Sequence, residues 1–115
     1  LHVQGDISAL SQVVELLLDN ATRYASDGSE IELALKKRSR GGVTLQVSNA
    51  VDAMPEGDLG RLFDRFYRAD TSRNSQTGGS GVGLSVAQAI VEAHGGSIRA
   101  QALDAHTICF AVTLP

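Results

Sequence analysis

Two helix-period stripes, each followed by a pair of strand-like runs, set narrow limits on how this 115-residue chain can fold. In the first stripe Ile7, Leu10, Val14, Leu17, Ala21 and Tyr24 recur at alternating steps of three and four. That spacing gathers side chains on one face of an α-helix. Asp6 stands where an N-cap belongs, and Asp27-Gly28 closes the segment. The second stripe predicts a helix over 82–94, with Leu84, Ala87, Ile90 and Val91 inward and Gly95 as its C-cap. Behind the first helix come EIELALKK (30–37) and VTLQVSN (43–49), joined by SRGG with the spacing of an antiparallel hairpin. Behind the second come SIRAQAL (97–103) and TICFAVTLP (107–115). With one more strand ahead of the first helix, the order is strand, helix, two strands, loop, helix, two strands. It predicts an α+β two-layer sandwich, with helices on one face of a mixed sheet.

A chain of this length fits one domain with a single core. Hydrophobic residues make up 43% and charged residues 20%, as in ordinary globular proteins. The formal charge of −3 argues against a general nucleic-acid binder, which would show a basic excess. Cys109, the single cysteine, cannot form an internal disulfide, and its setting in TICFAVTL predicts a core residue in a reducing compartment. No apolar run reaches the ~20 residues of a membrane span, and no signal peptide opens the chain. It begins at LHVQGD without a methionine, so we expect a piece of something longer.

The stretch 50–79 breaks the pattern. It holds Pro55, Gly57, Gly60, Gly78 and Gly79, a short helical segment around 58–66, and the polar run TSRNSQTGGS (71–80). A connection of that length in a small domain predicts a mobile functional loop. Glycines at 78, 79, 81 and 83 then lead directly into the second helix. Glycine is a poor helix former, so something there needs bare backbone, and a phosphate is the usual reason. No Gly-Lys-[Ser/Thr] follows, which excludes the P-loop. Glycines 79, 81 and 83 give G-x-G-x-G with Leu84 next, which does not match the dinucleotide fingerprint. A hinge without a ligand explains the cluster equally well when it is taken alone.

ELLLDNATRYA (15–25) adds a second group, with Asn20, Arg23 and Tyr24 at i, i+3 and i+4 on one helix face. An amide oxygen can coordinate Mg²⁺, a guanidinium can pair with phosphate, and an aromatic ring can lie against a base. The plainer alternative is a solvated rim, with a half-buried Tyr24 and an Asp19–Arg23 ion pair.

Together with FDRFYRAD (63–70), these segments resemble the catalytic, ATP-binding domain of bacterial sensor histidine kinases. LLDNATRYA is similar to that family's N box, FDRFYRAD to its F box, and GGSGVGLSVAQAIVEAHGG to its G2 box. The resemblance covers essentially the whole chain and implies the Bergerat ATP-binding fold, with ATP and Mg²⁺ as cofactors. It implies that Asn20 holds Mg²⁺, that Arg23 reaches the phosphates, and that Tyr24 packs near the base. The backbone amides of Gly81, Val82, Gly83 and Leu84, after Gly79, would cradle the phosphates. Residues 50–79 become an ATP lid, whose Arg65, Arg68 and Arg73 are candidates for the γ-phosphate or for pairing with Asp64 and Asp70. Phe63, Phe66 and Tyr67 would anchor that lid to the body or to a neighbouring helical domain.

Two departures from the family pattern stand out. Its G1 box, usually Asp-x-Gly-x-Gly, corresponds to NAVDA here, so Asn49, Val51 and Ala53 replace the aspartate and both glycines. Asn49 keeps a carbonyl that can accept from the adenine amino group, without charge assistance, so weaker binding is expected. Leu16 occupies the place of a second asparagine or of a water-activating glutamate. Glu15 lies one position away, roughly 100° around the helix, and an autonomous ATPase is therefore not expected. His2, His94 and His106 all lack the acidic neighbour of a phosphoacceptor histidine. The resemblance implies phosphotransfer to a histidine on the protein's own upstream helical dimerisation domain. It further implies a response regulator as partner, a homodimeric full-length protein, no nucleic acid, no direct membrane contact, and the cytoplasmic part of a membrane-anchored sensor. The alternatives are a degenerate nucleotide-binding or docking module, given the altered G1 box, and a serine kinase that inhibits a sigma factor.

Overall fold

The computed structural model describes residues 7–39, 41–55, 57–64 and 83–115. Helix α1 (Ile7–Tyr24) spans the predicted helical segment. Strands β1 (Ile31–Lys37) and β2 (Val43–Ala50) form the expected hairpin, closed by the Arg38 N–H donating to the Gly42 carbonyl at 3.0 Å. A 3-10 helix, η1 (Leu59–Phe63), precedes α2 (Gly83–Ala93), β3 (Ser97–Asp104) and β4 (Thr107–Leu114). The expected strand before α1, the Asp6 N-cap and His2 lie outside the described residues.

The sheet runs β1-β2-β4-β3. All three described pairings are antiparallel, and the strand expected ahead of α1, on which a mixed sheet depends, lies outside the described residues. β1–β2 and β3–β4 are hairpins, whose short connections can only reverse the chain. The two hairpins then meet through β2 and β4, with Val43 opposite Leu114 and Asn49 opposite Ile108.

Both helices cover one face of this sheet. On β2, Val43 and Val47 point into the core, as do Ile108, Phe110 and Val112 on β4. Against them pack Val13, Leu17 and Ala21 of α1 and Ala87 and Val91 of α2. The buried α1 stripe is thus centred on Val13, Leu17 and Ala21, one step round from the predicted face, and Tyr24 is 41% exposed. The rotation arises because α1 must meet α2 as well as the sheet, so its apolar surface is shared between two neighbours. Leu17, with no exposed surface, contributes about 2 kcal/mol by its removal from water. Cys109 is buried, as expected, and burial pushes its thiol above the ordinary value.

The short helical segment is smaller than 58–66, since only Leu59–Phe63 is helical and Asp64 already has extended backbone. The Asp58 side chain caps it by accepting from the Gly60 N–H at 2.8 Å. Phe63 inserts into the core and meets Phe110 edge-on, with ring centroids 6.1 Å apart. One of the three aromatics assigned to anchoring the lid therefore anchors to the body. Phe66 and Tyr67 lie outside the described residues.

Gly95 ends α2 as predicted. With φ at 78°, it lets the Gly96 N–H reach the Val91 carbonyl while its own N–H bonds to that of Glu92, both at 3.0 Å. A Cβ on Gly96 would collide with the Thr113 carbonyl, so this turn packs directly on β4.

Candidate functional site

Alternation along β2 puts residues 43, 45, 47 and 49 on the helix-facing side. Three are apolar and the fourth is Asn49, at 2% exposure the only buried polar residue among those described. Its neighbours across the sheet are Ile31 and Ile108. The carboxamide Nδ2 donates to the Ala50 carbonyl at 3.0 Å. Oδ1 is buried, and among the described residues nothing donates to it. A buried acceptor left unpaired costs about 1–3 kcal/mol, and a natural core rarely keeps one without a use for it. The helix-facing side at this end of β2 therefore holds a buried acceptor that no described residue satisfies.

The end of α1 is tied to the same place. Ser26, just past the helix, donates its N–H to the Ala50 carbonyl at 2.9 Å, and the Val51 N–H donates to His106 at 2.8 Å. Asn20, on the last turns of α1, is half-buried. Its amide makes no hydrogen bond to another described residue. Arg23 is instead engaged, with Nε 3.2 Å from Asp19 Oδ2. The plainer reading of that pair is the one the structure displays. Both partners are substantially exposed, so the pair is worth only a few tenths of a kcal/mol and can be exchanged for a better anion.

Leu16, one turn before Asn20, packs against the core cluster, while Glu15 is exposed. The position of a hydrolytic carboxylate is thus filled by an apolar contact. The start of α2 adjoins Leu16: a Cβ on Gly83 would sit 3.7 Å from Leu16 Cδ2, an ordinary contact. Packing does not require glycine at 83, although glycine there costs about 1 kcal/mol of helix propensity. Bare backbone at the N-terminus, where N–H groups lack helical partners, suits the close approach of a ligand. Leu84 lies in the same first turn, half-buried. Gly79, Gly81, Val82, Arg65, Arg68 and Arg73 lie outside the described residues.

An apolar groove of about 240 Å³ opens elsewhere, between α1 and the sheet, lined by Leu10, Val14, Val43, Leu45 and Leu114 among others. Val43 and Asn49 lie at opposite ends of β2, about 20 Å apart at strand rise. The groove has no part in the polar site. His94 plays none either: its Nδ1 lies 2.8 Å from the Ile90 carbonyl, closing the last turn of α2.

Sequence reasoning singled out Asn20, Asn49 and Gly83 and missed Ser26, which acts through its backbone N–H and carries no motif. The available signal for the burial of Asn49 was a polar residue at an inward position of V-x-L-x-V-x-N.

The geometry defines a class: a two-layer α+β domain with two helices on one face of an antiparallel sheet. Residues 5–115 match the family profile described as histidine kinase-, DNA gyrase B-, and HSP90-like ATPase, and the chain belongs to that family. It is 37% identical over 113 residues to the probable sensor kinase SilS of Salmonella typhimurium, covering 98% of this chain and 22% of that protein. It is 38% identical over 115 residues to the sensor protein VanS of Enterococcus faecium, covering 100% of this chain and 29% of that one. The mycobacterial sensor histidine kinase MprB superimposes with a TM-score of 0.87 at 28% identity, over 98% of this chain and 76% of that structure. The chain thus spans less than a third of the length of these curated relatives. Its fold is that of histidine kinase catalytic domains.

Proposed function

We propose that this domain binds Mg·ATP and supplies the γ-phosphate to a histidine on a separate helical domain of the same protein. The observation that carries the reading is the buried Oδ1 of Asn49, without a partner among the described residues, at the position where the family accepts the adenine amino group. Tyr24 flanks the base. The backbone amides of Gly83 and Leu84, together with those of Gly81 and Val82 and the turn at Gly79, hold the phosphates. Asn20 offers an amide oxygen, the neutral hard donor that suits Mg²⁺, and is the residue that would hold it. Magnesium bound there neutralises phosphate charge.

The residues of this chain then have two tasks, orientation and charge balance. Asn49 fixes the base, the α2 amides fix the phosphate chain, and Arg23 can leave Asp19 for the phosphates. Arg65, Arg68 and Arg73 of the lid, proposed to span 50–79, close on the γ-phosphate. With Leu16 in place of a water-activating carboxylate, the site holds ATP for a histidine rather than for water. The partners of the whole protein are its upstream helical dimerisation domain and a response regulator, at the cytoplasmic side of a membrane-anchored homodimer.

The test mixes this domain with the histidine-bearing helical domain of its own protein and γ-labelled ATP. Acid-labile label on a histidine is expected, and it should vanish with Asn20→Ala. Nucleotide binding without label on any histidine would replace the kinase reading by that of a docking module, a reading favoured by Val51 being buried where the family has a glycine.

A further inference from the structure

At the end of β2 away from Asn49, the domain carries an uncovered apolar strip with unpaired charge beside it. The groove of about 240 Å³ is walled by Leu10 and Val14 of α1 and by Leu35, Val43, Leu45 and Leu114 of the sheet. Its outer wall is β1, the outermost described strand, whose Leu33 and Leu35 share the helix-facing side and are each 55% exposed. Leucines scattered singly over a surface mean little, but a concave, continuous apolar strip marks a docking surface.

Charge gathers at one end of that strip. KKRSR (36–40) holds four of the chain's ten basic residues and both of its lysines, although the formal net charge is −3. Lys37 lies on the groove side of β1, opposite Val43, and Arg38 opens the turn. No described carboxylate is within ion-pair distance of Lys36, Lys37 or Arg38. The turn is fixed to the groove wall. A Cβ on Gly42 would collide with the Leu114 carbonyl, and the Gly41 N–H donates to the Arg38 carbonyl at 3.1 Å. A fitting partner brings apolar side chains to the groove and carboxylates to the turn, which is the pattern of an amphipathic helix with an acidic flank.

The path of the chain says where such a helix comes from. Helix α1 starts at Ile7, and Leu10, about one turn on, already lines the groove, so whatever precedes the domain enters beside it. The chain covers only 22% and 29% of SilS and VanS, so in proteins of that size most of the sequence lies outside this domain. We infer that the groove and the basic turn at 36–38 dock an acidic, amphipathic helix from the upstream helical part of the same protein. The inference rests on the helical domain in the reading above and adds a second contact to it, about 20 Å from Asn49 at strand rise. A helix tethered beside its groove has an effective concentration of about 1 mM, so an affinity of only about 0.1 mM keeps the groove about nine-tenths filled.

Amide hydrogen exchange of the full-length protein in neutral detergent, without nucleotide, reads the contact. At that occupancy, amides over 31–38 should exchange about tenfold more slowly than in the K37E/R38E double variant. Leu35→Asn should release them as well. All three side chains are exposed, so both variants keep the fold, and unchanged exchange over α2 checks it. Raising the ionic strength to about 0.5 M should narrow the gap between wild type and the double variant. Equal exchange in wild type and both variants overturns the inference. Protection that fades on dilution would assign the groove to a second copy, and protection that appears only with phosphatidylglycerol vesicles would assign the turn to a membrane; either overturns it. Mg·ATP affinity should be the same in all three proteins. Failure of all three to bind Mg·ATP, with the exchange difference intact, would overturn the nucleotide reading alone.

Discussion

Replacing Asn49 by valine should make the protein more stable while removing nucleotide binding. The carboxamide sits on the inward face of β2 between Ile31 and Ile108, with an orphaned Oδ1 and a single bond from Nδ2 to the Ala50 carbonyl. Removing Oδ1 recovers about 1–3 kcal/mol of desolvation cost, and removing Nδ2 forfeits about 1 kcal/mol. The Ala50 carbonyl stays satisfied by Ser26, so no new orphan is created. Valine also suits a central strand, adding a few tenths of a kcal/mol. The net expectation is about 1 kcal/mol of stabilisation, or about 4 °C in Tm for a domain of this size. Urea denaturation followed by circular dichroism, with m unchanged, reads it directly. A loss of about 1 kcal/mol or more would show that Oδ1 is satisfied within the protein, and the case for an external donor would fall. The gain should also reverse in millimolar Mg·ATP, where only the wild type is stabilised by ligand.

Three further outcomes test the fold and the charge arrangement. Leu17→Ala, at a site with no exposed surface in the α1 core stripe, should cost about 3 kcal/mol in urea melts; a cost below about 1 kcal/mol would mean that the helix layer is loosely packed. Arg23→Ala should change stability by no more than about 0.5 kcal/mol, because its pair with Asp19 is exposed, yet it should weaken Mg·ATP binding several-fold. An unchanged affinity would leave Arg23 to its ion pair alone. The Asp104 carboxylate in the β3–β4 turn is held below its ordinary value chiefly by the His106 N–H, at 2.8 Å, and then by the Thr107 hydroxyl. Its stabilising effect is therefore complete above the ordinary carboxylate range and is lost as pH falls through the lowered folded value. Asp104→Asn should flatten that part of the acid-stability profile, and a profile identical to wild type would remove Asp104 from it.

Periodicity carried most of the fold. The bounds of α1 and α2, the two hairpins and the Gly95 cap follow from repeats and caps that act over a few residues. Periodicity could not say which part of the α1 surface meets α2, so the buried stripe moved toward Val13 and left Tyr24 at 41% exposure. The antiparallel joining of β2 to β4 is a tertiary choice that neither hairpin encodes. For the site, Asn20, Asn49 and Gly83 were legible because motif and chemistry coincide there. The hydrogen bond from Ser26 to Ala50 was not, because it joins two backbone groups 24 positions apart and no side chain announces it. The pairing of Arg23 with Asp19 was legible from i, i+4 spacing alone, and the structure contains that pair.

The central claim is that groups from α1, β2 and the start of α2 close on one Mg·ATP. Calorimetric titration of the domain, paired with amide exchange over 81–84 and at the Asn49 side chain, tests it most directly. We predict saturable one-to-one heat, abolished by EDTA, with exchange slowed at those positions and unchanged at the β3–β4 turn. Absence of heat at millimolar Mg·ATP, with exchange at 81–84 unaltered, would contradict the account and leave a kinase fold without a working nucleotide site.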